Sequence, residues 1–188
     1  MLARFAENNP GVQVHVEVAN TSAMAQRIRV GDLSLALVEG LLADESLSID
    51  VFQSDMLVLV VPPRHSLANR QIVARDLARE PFVWREQGSG RRAIAEAALA
   101  RAGVQPPVAL ELPSGEGVAR AVEAGLGAAI LSQLVVERAI AEGRLATASV
   151  TDLDLARTLR VVTVRSRTLS PAARAFRDLL LSGSAHAG

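Results

Sequence analysis

Residues 108–131 read VALELPSGEGVARAVEAGLGAAIL, and this stretch decides the fold class. Its first segment, Val108–Leu112, suits a strand, and Ser114 can cap a helix that ends just before Gly125. A second apolar run, Ala128–Leu131, then suits another strand. The same alternation of strand and helix recurs on both sides of this stretch. The sequence therefore predicts an α/β fold with a mainly parallel, doubly wound sheet.

Further elements are predicted along the rest of the chain. Apolar runs and alternating valines indicate strands at Val12–Val18, Leu33–Val38, Met56–Val61, Phe82–Trp84 and Leu159–Val164. Capping residues, glycines and prolines indicate helices at Leu2–Asn9, Ser22–Arg29, Gly90–Ala102 and Ala172–Leu181. The tail, Ser182–Gly188, is small and polar, so we expect it to fray.

The composition narrows the possible functions. Of the 188 residues, 49% are hydrophobic and 21% are charged, so a sizeable core is available. The 20 basic and 20 acidic residues cancel, which argues against this chain gripping a polyanion by itself. Every basic residue is Arg, and the lack of Lys removes Schiff-base chemistry. The lack of Cys removes thiol catalysis, disulfides and Cys-based zinc sites.

Signatures of enzymes and membrane proteins are weak. The histidines, His15, His65 and His186, show no metal-ligand spacing, and no G-x-S-x-G motif occurs. No apolar run approaches the ~18 residues of a membrane span, and the first residues lack the apolar core of a signal peptide. We therefore predict a non-enzymatic, cytoplasmic protein with no cofactor, no metal and no membrane contact.

Three predicted helix starts follow strands and carry small polar residues. They are Asn20-Thr21-Ser22, Gln87-Gly88-Ser89-Gly90 and Ser114-Gly115-Glu116. Ligands of open α/β sheets bind outside the carboxyl ends of strands, where helix N-termini offer N–H groups and a partial positive charge. Arg91 and Arg92 would oppose the helix dipole unless an anion lies nearby. This pattern predicts a small carboxylate, phosphate or sulfate ester as the ligand.

The serines in this set have a structural alternative. Ser22, Ser89 and Ser114 can be plain helix caps, each contributing about 1 kcal/mol to helix stability. Thr21 can equally be a turn residue.

The remaining candidates have alternatives too. Arg91 and Arg92 can form a solvated face or pair with Glu96. Glu39, at the end of a predicted strand, is awkward beside an anion and can instead accept from a ligand hydroxyl or pair with an Arg. The strand-end residues Ile130-Leu131 can line a pocket or simply pack. The full predicted ligand-binding set is Thr21, Ser22, Glu39, Gln87, Gly88, Ser89, Gly90, Arg91, Ser114, Gly115, Ile130 and Leu131.

Several stretches, in order and over nearly the whole chain, resemble the effector-binding domain of LysR-type transcriptional regulators. They are Leu2–Gly40, Asp55–Ala68 (DMLVLVVPPRHSLA), Asp76–Val104, Glu111–Val136 and Leu169–Leu180 (LSPAARAFRDLL). Within this family, REQGSGRR at 85–92 resembles the branch that includes regulators of carbon-fixation operons and of sulfur metabolism.

The resemblance implies a fold like that of type 2 periplasmic binding proteins. Two Rossmann-like lobes would be joined by two crossing strands, with a small effector bound between the lobes. Crossings near Val60–Pro63 and Val161–Arg165 would give a first lobe of residues 1–61 plus 165–188 and a second of 62–164.

The resemblance also implies that some family elements are absent. The opening strand of lobe one, the N-terminal helix-turn-helix and the linker helix are missing, because the chain is a trimmed piece or its start codon is misassigned. Apolar edges would then be left on Val12–Val18 and Leu33–Val38, to be filled by another segment or to lower solubility.

The implied function is that of an effector sensor. An anionic metabolite would change lobe closure, and the change would be relayed to DNA through the missing helix-turn-helix. Such domains form homodimers, and tetramers in the full-length form, with Ala23–Arg29 and Ala93–Ala102 as candidate interface helices. Alternatives are a transporter's solute-binding protein, which needs a secretion signal or a lipid-anchor Cys, and an enzyme on the same scaffold, which needs a catalytic constellation.

Overall fold

A computed structural model describes residues 1–39, 42 and 44–183. Gly40, at the end of one matching stretch, and residues 184–188, which hold His186 and most of the predicted tail, lie outside the described residues. The chain divides into two compact units. The first unit is Met1–Ser54 with Thr158–Gly188, and the second unit is Asp55–Arg157. The two domain boundaries predicted from the sequence lie a few residues further along the chain than the boundaries of these units.

Helices and strands alternate through most of the chain. The helices are α1 (Leu2–Asn8), α2 (Thr21–Val30), α3 (Gly90–Arg101), α4 (Gly115–Glu123), α5 (Gln133–Ala141) and α6 (Pro171–Gly183). The strands are β1 (Ala36–Val38), β2 (Leu47–Val61), β3 (Gln71–Ile72), β4 (Phe82–Arg85), β5 (Val108–Leu112), β6 (Ala129–Ser132), β7 (Ala146–Val150) and β8 (Ala156–Val164). A 3₁₀ turn covers Ala74–Leu77. Both β2 and β8 run from one unit into the other.

The first unit is built on β1 and the adjacent part of β8. These strands are antiparallel, with Ala36 opposite Val162. On one side, α2 buries Met24 and Ile28 against them. Elsewhere in the unit Phe5 of α1 meets Phe176 of α6 edge to face, with ring centroids 5.1 Å apart. Burial of these apolar faces fixes the helices that frame the unit.

The second unit has two hydrophobic clusters that alternate along its strands. Leu59 belongs to one cluster and its neighbour Val60 to the other. In the same way Trp84 and Val83 of β4 belong to opposite clusters. Successive strand side chains point to opposite faces, so β2 and β4 are each covered on both faces, as the apolar runs predicted.

A buried ion pair joins the first and last residues of the second unit. Arg157 Nε donates to Asp55 Oδ2 at 2.7 Å, and the Ser132 hydroxyl donates to the same oxygen at 2.8 Å. The side chains of Arg157 and Asp55 are 3% and 1% exposed. The pair therefore fastens β8 to β2 at the points where the chain leaves and enters this unit.

The strand predicted at Val12–Val18 is wrong. These residues form no regular structure, and Val14, Val16 and Val18 are 42%, 58% and 96% exposed. Alternating valines make a strand only when a neighbour completes the hydrogen-bond ladder, and no described strand pairs with this segment. Its Glu17 is instead held by Arg27 of α2, with Oε1 3.0 Å from Nη2. Leu37 of β1 is also exposed.

The structure also differs from the prediction in strand direction and in the number of elements. The pairs β4–β5 and β3–β7 are parallel, but β6 and β7 run antiparallel to β2. The reason is that β2 enters this unit from the other one instead of beginning a local strand–helix–strand repeat. The sequence also missed β3, β7 and α5. A two-residue strand such as β3, and a helix that directly follows a strand as α5 follows β6, give little periodic signal.

Candidate functional site

The helix starts of α3 and α4 lie at one edge of the second unit. They follow β4 and β5, which are parallel, with Arg85 opposite Leu112 at their carboxyl ends. Just beyond these ends Glu86 N donates to the Leu112 carbonyl at 3.1 Å. The structure thus brings together seven predicted residues of this unit, which are Gln87, Gly88, Ser89, Gly90, Arg91, Ser114 and Gly115.

The two helix starts are in contact through Arg91. A Cβ added at Gly115 would lie 2.6 Å from Arg91 Nη1, so a larger residue here would require the guanidinium to shift away from the first residue of α4. Gly88 adopts φ +85°, a left-handed conformation that glycine takes without a steric penalty. Both glycines therefore shape the loop and the helix starts around the Arg91 side chain.

The two serine caps differ in what their hydroxyls do. Ser114 accepts from Gly117 N at 2.9 Å, which is the plain capping role. Ser89 also occupies an N-cap position, but its hydroxyl makes no capping hydrogen bond, although the residue is only 4% exposed. The first N–H groups of a helix have no acceptor within the helix. The start of α3 therefore offers both an uncommitted hydroxyl and N–H donors to an anion.

Arg92 has a structural role, as the alternative interpretation proposed. Its Nε donates to Glu96 at 2.7 Å, its Nη1 donates to the Arg85 carbonyl at 2.7 Å, and it also pairs with Glu111. The guanidinium lies 5.7 Å from the centre of the Trp84 ring. The Arg92 hydrogen bond lowers the pKa of Glu111, while desolvation works against this shift. This network fixes the loop after β4. Glu111 was not identified from the sequence as part of it, because its partner Arg92 lies 19 positions earlier in the chain.

The remaining polar candidates lie in the first unit. Thr21 and Ser22 are the first residues of α2, but the cap is Asn20, whose side-chain oxygen accepts from Ala23 N at 3.0 Å. The prediction that Ser22 caps this helix is therefore wrong. Glu39 directly follows β1 and is half-buried.

The two apolar candidates are core residues. Ile130 and Leu131 of β6 are 5% and 0% exposed and belong to the two opposite hydrophobic clusters. Packing accounts for both side chains, which was the alternative interpretation for this strand end.

These features define a class of protein. Two α/β units, connected by two strands and carrying glycine- and serine-rich helix starts after strands, are typical of proteins that bind small ligands. No helix in the described part of the chain combines the length and apolar character that crossing a bilayer requires.

Comparison with known proteins places the chain within this class. The family described as LysR substrate binding domain matches residues 1–185, and the chain belongs to that family. The RuBisCO operon transcriptional regulator of Allochromatium vinosum is 31% identical over 98% of this chain and 62% of its own length. The HTH-type transcriptional regulator CysL of Bacillus subtilis is 29% identical over 86% of this chain and 54% of its own length. The chain thus spans a little over half the length of these relatives.

A solved structure confirms the predicted fold class. The regulatory domain of CcmR from Synechocystis, in complex with 2-PG, has a TM-score of 0.91 and 26% identity, over 99% of this chain and 90% of that one. The chain has the α/β fold of type 2 periplasmic binding proteins that is shared by LysR regulatory domains. The family and the relatives named here are transcriptional regulators and not enzymes, which agrees with the non-enzymatic prediction. LysR regulators bind small effectors and act with DNA.

Proposed function

We propose that this chain is the effector-sensing part of a cytoplasmic transcriptional regulator and that its effector is a small anionic metabolite. The observation that carries the proposal is the start of α3, where a buried Ser89 makes no capping hydrogen bond. The neighbouring loop, Gln87–Gly90, lets the backbone approach a ligand closely. Family membership and the 2-PG in the CcmR domain support the same chemistry.

The remaining predicted site residues enter as a second contact group. Thr21 and Ser22 open α2 in the first unit, and the N–H groups of that helix start attract an anion for the same reason as those of α3. An effector that binds residues of both units would favour one arrangement of the units, by no more than its differential affinity for the two states. The change would be relayed to a helix-turn-helix elsewhere in the regulator.

We also propose that the chain pairs with a second copy. The candidate interface helices are α2 and α3, on which Gln26 and Arg29 and Ala93, Ala97 and Ala100 are exposed. Light scattering at high protein concentration tests this. A dimer is expected, and a monomer at every concentration would contradict it.

The effector proposal is tested by replacing Ser89. The chain is titrated with small anions at constant ionic strength, and binding is followed by calorimetry and by the shift in thermal unfolding. Ser89→Asp puts a carboxylate where the anion would bind, while Asp remains a good N-cap, so the fold is expected to survive. Ser66→Asp makes the same change in an exposed turn of the same unit and serves as the control.

The expected result is saturable binding that Ser89→Asp abolishes and Ser66→Asp preserves. Binding that survives Ser89→Asp contradicts the assignment of this helix start. Binding of neutral or cationic ligands alone contradicts the anionic effector.

A further inference from the structure

A polar pocket in the first unit is not explained by the proposed effector site. It has a volume of about 380 Å³, within the range of small-molecule pockets. It is lined by Ser48, Thr163, Val164, Arg165, Arg167, Thr168, Leu169, Arg174, Arg177 and Asp178. None of these residues belongs to the predicted ligand-binding set, and all of them lie in one compact unit.

The lining carries a strong local excess of positive charge. Four arginines face one aspartate, although the whole chain has equal numbers of basic and acidic residues. Of these arginines, Arg177 is partly neutralised, with Nη2 2.8 Å from Asp50 Oδ2 and Nη1 3.8 Å from Asp178 Oδ1. The pocket therefore has a net positive charge, which acidic residues elsewhere in the chain offset.

The other three guanidinium groups have no carboxylate partner among the residues described here. Arg165 donates only to the backbone carbonyls of Glu45 and Leu47, both at 3.3 Å. The Arg167 guanidinium occupies the place where a Cβ on Gly31 would lie, so the glycine makes room for it. Arg174, in the first turns of α6, is exposed and makes no side-chain hydrogen bond within the described chain. Like charges gathered in this way repel one another unless an anion joins them.

Hydroxyl groups complete the lining. Thr163 of β8 is only 6% exposed, and no hydrogen-bond partner for its hydroxyl lies within the described residues. Ser48 and Thr168 add two more hydroxyls. Guanidinium forks and hydroxyls together are the donor set that recognises phosphate and carboxylate groups.

We propose that this pocket is a second ligand site, which binds a compact dianion such as a phosphate monoester or a dicarboxylate. Its donors, Arg174, Arg165 and Thr163, belong to the first unit alone, so the site does not depend on Ser89 or on the helix starts of the second unit. The domain would then respond to two anions, each with its own determinants.

The test uses inorganic phosphate as the probe and the full 188-residue chain. Binding is measured by calorimetry at constant ionic strength, with chloride as the competing salt. Arg174→Gln removes one cation whose side chain makes no hydrogen bond or ion pair with the described residues, so the fold is expected to be retained. Arg4→Gln makes the same change on an exposed residue of the same unit outside the pocket and is the matched control. Thr163→Val, nearly equal in shape, probes the buried hydroxyl.

The expected result is saturable phosphate binding that Arg174→Gln weakens about tenfold or more, because a charge-assisted hydrogen bond is lost. Thr163→Val should weaken binding less, and Arg4→Gln and Ser89→Asp should leave it unchanged. Equal affinity in Arg174→Gln and Arg4→Gln overturns the proposal, and so does an absence of saturable binding. Loss of binding in Ser89→Asp alone assigns the phosphate to the effector site and also overturns it.

Discussion

Asp55→Ala is expected to destabilise the second unit severely. The substitution removes the acceptor of Arg157 Nε and of the Ser132 hydroxyl, at 2.7 and 2.8 Å. Arg157 is 3% exposed in its side chain and would be left as a buried charge without its carboxylate.

The magnitude follows from burial. Removing one partner of a buried ion pair costs about 3–5 kcal/mol, far more than a surface pair is worth. With a urea dependence of about 1–3 kcal/mol per molar for a domain of ordinary size, the unfolding midpoint should fall by about 2 M. Asp55→Asn keeps an oxygen for Ser132 and should lose about 1 kcal/mol less.

The assay is urea unfolding followed by circular dichroism and by Trp84 fluorescence, which reports on the second unit. Combining Asp55→Ala with Arg157→Met should recover much of the loss, because the buried charge that paired with Asp55 is removed as well. Glu142→Gln, which removes a carboxylate at the surface that pairs with Arg138 and Arg144, is the control and should change stability little. A single substitution that costs under about 1 kcal/mol, or a double one no better than the single, would refute the reasoning.

Three further outcomes are expected. Gly127→Ala should destabilise the chain more than Gly143→Ala in thermal unfolding. A Cβ added at Gly127, where φ is +145°, collides with a backbone carbonyl, whereas a Cβ added at Gly143 meets nothing within 4 Å. Equal losses of stability would contradict this prediction. Hydrogen bonds, of which that from the Ser46 hydroxyl is the largest contribution, lower the pKa of Asp44 from 3.8 to about 2. The stabilising effect of the Asp44 carboxylate is therefore present above pH 3.8 and is lost as the pH falls towards 2. A carboxyl NMR titration checks this pKa, and an ordinary value would refute the prediction. Asn20→Ala should cost about 1 kcal/mol through the lost cap of α2, and hydrogen exchange in its first turn should rise; an unchanged exchange rate would contradict the capping role.

The sequence predicted the elements whose signals are local. The stretch Val108–Leu131 contains a strand, a serine cap, an apolar helix face and a glycine stop, and the structure reproduces each within one or two residues. At this site, the sequence also identified the residues of both helix starts, because parallel strands bring their carboxyl ends together.

The features that were missed depend on contacts between distant residues. Glu111 gave no signal as a partner of Arg92, and Asp55 none as a partner of Arg157, because each pair forms only when two separate elements become neighbours, α3 and β5 in the first case and β2 and β8 in the second. The arginine pocket was missed for the same reason, since β2, β8 and α6 all contribute to it. Pattern reasoning detects periodicity within an element and cannot count charges that meet in space.

The segment Val12–Val18 shows the converse case, a clear strand pattern in the sequence that does not form a strand in the structure. Its alternation is as regular as that of any described strand, yet Val18 is 96% exposed and no described strand pairs with the segment. A strand gains its stability from ladder hydrogen bonds and from cross-strand contacts, so the pattern records a preference that only a neighbour can satisfy. Arg27 of α2 binds the Glu17 side chain of this segment. That side-chain contact leaves the backbone N–H and C=O groups of the valines able to pair with another strand. A peptide or chain segment that pairs with it should therefore protect the amides of Val14 and Val16 from hydrogen exchange, and protection confined to other amides would show that the alternation has no pairing role.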